Sequence, residues 1–247
     1  MKRATSTTAT TERHPWEPFA PANAKILFLG SFPPPRIRWS MDFYYPNITN
    51  DFWKVIGLIF FGEKEHFIEK ATKRFKENEI KTFLIEQGIA LYDAATVVRR
   101  LSNNASDARL QIVEATDIAA LLARMPHCHH IAVTGEKAAQ TLLAPHHTEP
   151  PKIGESIKIH YGERSITLWR MPSTSRAYPL APEKKPNTTA HCSPPRGYYN
   201  TNHITYYFAQ HSRICTTFRH ISNREFGNSR KKAHISFKYP KNLIYLH

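Results

Sequence analysis

Apolar residues in the first 185 positions fall into short runs separated by polar and charged stretches, and the spacing within each run predicts its conformation. Lys25-Ile26-Leu27-Phe28-Leu29 is a continuous apolar run closed by Gly30, the signature of a strand buried on both faces. Phe52, Val55, Ile56 and Ile59 recur at helical spacing behind Asn50 and Asp51, either of which can cap a helix. Residues 65–77 read as a charged helix and 80–87 as another that stops at Gly88, followed by a short strand over 89–93. Thr116-Asp117 caps a helix over 118–124, His130–Thr134 is a strand closed by Gly135, residues 136–143 are helical, and 166–170 form a last strand. No internal repeat is visible. Apolar strands alternating with helices predict an α/β protein: a three-layer α/β/α sandwich around a central, mostly parallel, short β-sheet.

This order spans residues 14–185. Residues 1–13 are polar and Thr-rich and are expected to be a disordered lead-in without an apolar signal core. From Pro186 onward neither period persists, and 186–247 is expected to be a basic, irregular, disordered tail. Its codons suggest why. One base back from the Lys185 frame, Pro186–Asn200 can read Ala-Glu-Tyr-Tyr-Arg-Thr-Leu-Phe-Thr-Thr-Ala-Gly-Leu-Leu-stop, an amphipathic helical ending, with two of the Leu codons forced. A frameshifted or read-through translation is the expectation for this tail, and sequencing the coding DNA tests it.

Charge has to be divided along the same boundary. The chain carries a formal net charge of +14, but 186–247 holds nine Lys or Arg against Glu225 alone, and the rest carries 25 bases against 19 acids. The body is therefore only mildly basic, and most of the polyanion-binding signal lies in the tail. No apolar run is long enough to span a bilayer. Cys128, Cys192 and Cys215 show no paired framework, which fits a reducing, cytoplasmic setting. His127, Cys128, His129 and His130 resemble a metal cluster only at first sight. At the start of a strand, alternate side chains point to opposite faces, which favours a solvated loop and no metal.

The chemistry is expected just past the carboxyl ends of the strands, where open α/β sheets bind ligands. Gly30-Ser31-Phe32-Pro33-Pro34 follows the first strand and Met171-Pro172-Ser173-Thr174-Ser175 the last, so the two loops are expected to face one cleft. Gly30 permits close approach of a ligand, and Pro33–Pro35 stiffen the loop. Phe32 can stack on a flat ligand or pack into the core. Between the loops lies Phe43-Tyr44-Tyr45-Pro46-Asn47-Ile48-Thr49-Asn50-Asp51-Phe52-Trp53. Asn47 and Asn50 can cap the following helix, or can read a base edge or hold a water. Tyr44 and Tyr45 offer stacking faces. Ser173, Thr174 and Ser175, with Arg176 beside them, suit phosphate oxygens or form an ordinary turn. Asp93 and Asp107 are candidate acids, each equally explained as a turn or cap residue.

Taken together, Gly30-Ser31-Phe32-Pro33, then Tyr44-Tyr45, Asn47, Asn50 and Phe52-Trp53, then Pro172-Ser173-Thr174-Ser175 resemble the uracil-DNA glycosylase superfamily. The likeness is nearest to its hypoxanthine-DNA (deoxyinosine) glycosylase branch, with its Gly-Ser-x-Pro, Asn-Pro-Arg-Asn-x-Phe-Trp and Leu-Pro-Ser-Thr-Ser segments. His14-Pro15-Trp16-Glu17-Pro18-Phe19 and Gly88-Ile89-Ala90-Leu91-Tyr92-Asp93 extend it, so that it covers Pro15 to Leu180. Departures are Ile48-Thr49 for Pro-Arg, Met171 for Leu and Arg176 for Pro.

The resemblance implies a monomeric, cofactor-free DNA glycosylase of base-excision repair. It would hydrolyse the N-glycosidic bond of a deaminated base, hypoxanthine or uracil, flipped out of DNA. Asn50 is the expected catalytic amide, with Asn47 as second choice or base reader and Ser31 assisting. Gly30, Phe32, Pro33 and Tyr45 would form the base pocket. Ser173, Thr174 and Ser175 would hold the DNA backbone, and Arg176 would contact phosphate or fill the gap left by the base. Ser31-Phe32 stands where efficient uracil enzymes carry a water-holding Asp or Asn. That departure motivates a rival reading, a non-catalytic module binding damaged bases or single strands on the same fold. A serine hydrolase is poorly supported, because there is no Gly-x-Ser-x-Gly elbow.

Overall fold

The computed structural model describes residues 11–101 and 110–175. Five strands form the central sheet: β2 (Ile26–Gly30), β5 (Ile89–Asp93), β8 (His130–Thr134), β9 (Ser156–Tyr161) and β10 (Arg164–Met171). Their order is β5-β2-β8-β10-β9; the first four run parallel and β9 pairs antiparallel with β10. Every residue of β2 and β5 is buried. Side chains of a strand point alternately to both faces, so both faces of the sheet are covered. This is the expected three-layer α/β architecture with a mostly parallel sheet.

Helices α1 (Phe52–Phe61), α2 (Glu77–Gln87), α3 (Ile118–Ala123) and α4 (Glu136–Leu143) supply the cover, α2 packing on β5 and α4 on β8. Gly88, with φ 63°, closes α2 in the left-handed conformation that residues with a Cβ resist. Asp117 accepts the Ala120 N–H and so caps α3, as its position predicts.

Three expectations are corrected. Residues 65–76 are not a helix, and only Glu77 of the expected span is helical, as the first residue of α2. They hold a two-stranded ribbon, β3 (Ile68–Glu69) and β4 (Arg74–Phe75), turning at Lys73 with φ 54°. Phe67 and Phe75 are both buried, Phe67 against Trp53, Phe61 and Phe83, and that packing overrides the helical propensity of the charged residues between them. The lead-in expected to be disordered through residue 13 ends in strand β1 (Thr11–Arg13), paired antiparallel with β6 (Ala95–Arg100). With β7 (Leu110–Ala115) these make a three-stranded antiparallel sheet that the sequence reading did not anticipate. Its alternation is hidden by a register shift around Thr96 that buries Val97 and Val98 in succession. In the third case, Cys128 is buried rather than part of a solvated loop, its Sγ 3.4 Å from the His130 carbonyl, while His127 and His129 are exposed. The expectations for Met1–Thr10, Asp107, Arg176 and the 186–247 tail lie outside the described residues.

Candidate active site

From β2 the chain goes to β5 on one side of it and then to β8 on the other, so the direction of winding reverses at β2. Such a reversal leaves a crevice at the carboxyl ends of the strands. A cavity of about 200 Å³ lies there, and all four parallel strands contribute to its wall. Gly30–Pro34 come from the end of β2, Asp93 from β5, Thr134 from β8 and Ser173–Ser175 from the loop after β10. Tyr45–Asn47, Thr49 and Asn50 close it from the segment before α1. The two strand-end loops, far apart in sequence, therefore do meet at one cleft.

Gly30 and Asp93 are directly paired across β2 and β5. A Cβ on residue 30 would collide with the Asp93 carboxylate, so only glycine lets that carboxylate lie against the β2 backbone. The carboxylate is fixed from behind. His14 Nε2 donates to Asp93 Oδ2 at 3.0 Å, while His14 Nδ1 lies 2.8 Å from the Trp16 carbonyl. Around this pair pack the rings of Trp16, Phe32, Tyr44 and Tyr92, at 4.7–5.9 Å from the imidazole. Burial in the box, with Asp93 beside it, pushes the Tyr44 hydroxyl well above its ordinary range and Tyr92 up to about 12, so both stay protonated. In such low-dielectric surroundings an ionic hydrogen bond is strong and directional.

Tyr45 adopts φ 52°, unusual for a residue with a side chain, and this turns its ring flat onto Phe52 at a centroid distance of 3.7 Å. Its hydroxyl lies 2.9 Å from Thr134 Oγ1, tying the closing segment to the end of β8. One ring face is thus spent on Phe52, and Tyr45 is also part of the cavity lining.

The two asparagines are committed in part. Asn47 Oδ1 accepts from the Thr49 N–H at 3.0 Å and the Thr49 hydroxyl at 2.9 Å. Asn50 Oδ1 accepts the Phe52 N–H at 2.9 Å, an Asx turn that leads into α1, while Asp51, the N-cap residue, makes no side-chain cap bond and spends its carboxylate on buried Lys54 at 2.9 Å. Each asparagine uses its oxygen to fix the backbone, and among the described residues neither Nδ2 is taken up. Two amide donors consequently remain for whatever fills the cavity.

Thr174 is buried, and its carbonyl accepts the Asp51 N–H at 3.0 Å, joining the last loop to the start of α1. The Ser175 N–H donates to Ser173 Oγ at 3.3 Å, a local serine turn. Ser31 is nearly buried at the cavity wall. Pro33 offers its carbonyl to Arg100 Nη2 at 3.0 Å, and Arg100, clamped by Glu12, also stands 6.0 Å from the Phe32 ring. Phe32 itself packs against Ala95, Val98 and Leu110, so core packing accounts for most of its surface. The unanticipated sheet β1-β6-β7 therefore has a use: it braces the first loop. What sequence reading missed was the His14–Asp93 pair, whose signal was a lone His and a strand-ending Asp 79 residues apart. Among the described residues no cluster of three or more His, Cys, Asp or Glu could hold a metal, and no helix is long and apolar enough to cross a membrane.

The fold and the cavity define an α/β protein with a polar, strand-end binding pocket. A solution NMR structure from Methanosarcina acetivorans, described as a "putative Uracil DNA glycosylase", shares this fold with 21% sequence identity and a TM-score of 0.50. The match covers 86% of this chain and 99% of that one. No family model matches the chain, and no curated protein matches it.

Proposed function

We propose that this protein is a monofunctional DNA glycosylase that hydrolyses the N-glycosidic bond of a deaminated base, hypoxanthine or uracil, flipped out of DNA. The observation that carries this reading is the pairing, in one cavity of about 200 Å³, of a buried carboxylate with two uncommitted amide donors. Cleavage of the bond leaves positive charge on the sugar and negative charge on the departing base. Fixed donors aimed at the base and a carboxylate near the sugar stabilise both, without metal or cofactor. In this reading a water oxygen attacks C1′ as the C1′–N bond breaks. The electron pair leaves with the base, and the water proton passes to Asp93. Asn50 donates its Nδ2–H to the base anion, with Asn47 reading the base edge or assisting. Asp93 then supplies the water-holding group that Ser31-Phe32 lacks, and His14 keeps it aligned. The fold shared with the archaeal structure supports the same reading, as do the loop motifs.

Incubation with oligonucleotides carrying uracil, hypoxanthine or xanthine, followed by alkali, tests it. The wild-type chain is expected to give strand breaks at one or more of these bases. Asn50→Ala and Asp93→Asn are expected to reduce them by about 10²-fold or more, the scale of losing one preorganised catalytic group. Retardation of the same DNA in a gel without any strand break would instead support the non-catalytic binding module.

A further inference from the structure

One cation lining the cavity is buried, and bracing the first loop uses only part of it. Arg100 belongs to the cavity wall, yet its side chain is 8% exposed. Strand geometry puts it there. Val98 and Arg100 are two apart on β6 and so share a face, the one on which Val98 meets Phe32. Glu12 pairs directly with Val98 across β1 and β6, which leaves its carboxylate diagonal to Arg100 on that same face.

Of the five guanidinium N–H bonds, three are spent. Nε donates to Glu12 Oε1 at 2.9 Å, and Nη2 donates to Glu12 Oε2 at 3.1 Å and to the Pro33 carbonyl at 3.0 Å. Nη1 has no partner among the described residues. It is not walled in either, because the buried side-chain nitrogen left without a partner there is Arg170 Nε. The two remaining N–H bonds are therefore available to whatever fills the cavity. Taking a guanidinium out of water is costly, and the two-point clamp by Glu12 offsets that cost while fixing the plane of the fork. Holding one carbonyl needs only a neutral donor. A clamped cation at the wall exceeds that task.

Its charge suits the reaction. When the C1′–N bond breaks, the electron pair leaves with the base and spreads onto its carbonyl oxygens. A guanidinium has donors and no acceptor, so it favours a carbonyl over an amino group and an anion over a neutral base. Being buried, Arg100 acts on that charge more strongly than Arg38, which is exposed at the same cavity. We propose that Arg100 is a catalytic residue of the pocket, donating from Nη1 to a carbonyl oxygen of the flipped base and holding the negative charge that arrives there. No proton leaves it, and Glu12 is its positioning residue. The proposal rests on the base-excision reading, since only a departing base brings that charge.

The test uses full-length wild type, Arg100→Met, Arg100→Lys, Glu12→Gln and Glu12→Asp in single-turnover excision. Duplexes carry the target base or its ring-fluorinated analogue, 5-fluorouracil for uracil or 2-fluorohypoxanthine for hypoxanthine. Fluorine stabilises the departing anion by itself and so lessens the need for a cation. Arg100→Met is expected to lose about 10²-fold on the target base, the scale of one preorganised donor, and at least about threefold less on the fluorinated one. Arg100→Lys keeps the charge without the fork and is expected to fall between; it is the variant to read if Arg100→Met fails to fold. Glu12→Gln is expected to show the same lean toward the fluorinated base with a smaller loss, and Glu12→Asp to recover most of it. Equal losses on both bases would leave Arg100 a structural brace and overturn the proposal, as would wild-type rates in Arg100→Met. A wild type that excises neither base would overturn the base-excision reading instead. Gel-shift affinities then decide the contact. A wild-type preference for the deaminated base over its parent cytosine or adenine, lost in Arg100→Met, supports it; a preference that persists or never exists refutes it.

Discussion

At the scale of single residues the site turns on Gly30 and Asp93. No positive φ requires the glycine; the Asp93 carboxylate does, because it occupies the space of a residue-30 Cβ. Gly30→Ala is therefore expected to destabilise the protein by about 1–3 kcal/mol, as overpacking does, and to cut excision by displacing the carboxylate. The cost should largely disappear in an Asp93→Ala background, where the collision partner is gone. Urea unfolding of the four proteins of that double-mutant cycle checks it, and additive effects would refute the contact. The sequence marked Gly30 as a place where a group can approach the backbone; which group does so is set by a neighbour on another strand. Asp93 could not be separated from an ordinary turn residue until His14 and four aromatic rings were seen around it.

The element that matters most is the start of α1, where one side chain is asked to do two jobs. Asn50 lines the cavity, uses Oδ1 for the Phe52 N–H and has no partner on Nδ2 among the described residues, so the turn-forming and chemical readings of this residue do not compete. They can be separated experimentally. Asn50→Asp keeps an oxygen for the turn and removes the amide donor, and is expected to retain stability within about 0.5 kcal/mol while losing excision. Asn50→Ala is expected to lose excision and about 1 kcal/mol as well, the usual net value of one lost hydrogen bond. Thermal melts beside strand-break assays check both, and equal stability of the two variants would show that the turn contributes nothing. The Asp117 cap of α3 was legible because Thr-Asp before an apolar run is a local pattern, whereas the start of α1 carries an Asx turn at Asn50 and no side-chain cap. The strands β6 and β7 were not legible, because the register shift at Thr96 breaks their alternation, and residues 65–76 were misread because Phe67 answers to a distant aromatic cluster.

Across the whole molecule, buried titratable groups set a pH window. Burial raises the Cys128 thiol from 9.0 to about 11, and Tyr92 and Tyr161 from 10.0 to about 12. Between those values the unfolded chain releases protons that the folded one keeps, so stability falls as pH rises above about 9. His130 moves the other way: burial, with His129 nearby, lowers it from 6.5. Below that pH the unfolded chain binds a proton the folded one resists, and stability falls again. Urea midpoints are expected to peak between about pH 6.5 and 9. Cys128→Ala should flatten the alkaline limb, removing up to about 3 kcal/mol of loss between pH 9 and 11; an unchanged slope would refute its share. The sequence by itself determined the alternating α/β order, the parallel strands β2, β5, β8 and β10, the caps and the two strand-end loops, because periodicity and turn chemistry are local. Only the tertiary structure decided that those loops share one cavity, that Asp93 is held there by His14, and that Arg100 braces the first loop. Those facts depend on strand order and on contacts such as that between Asp51 and Thr174, 123 positions apart, which no local pattern encodes.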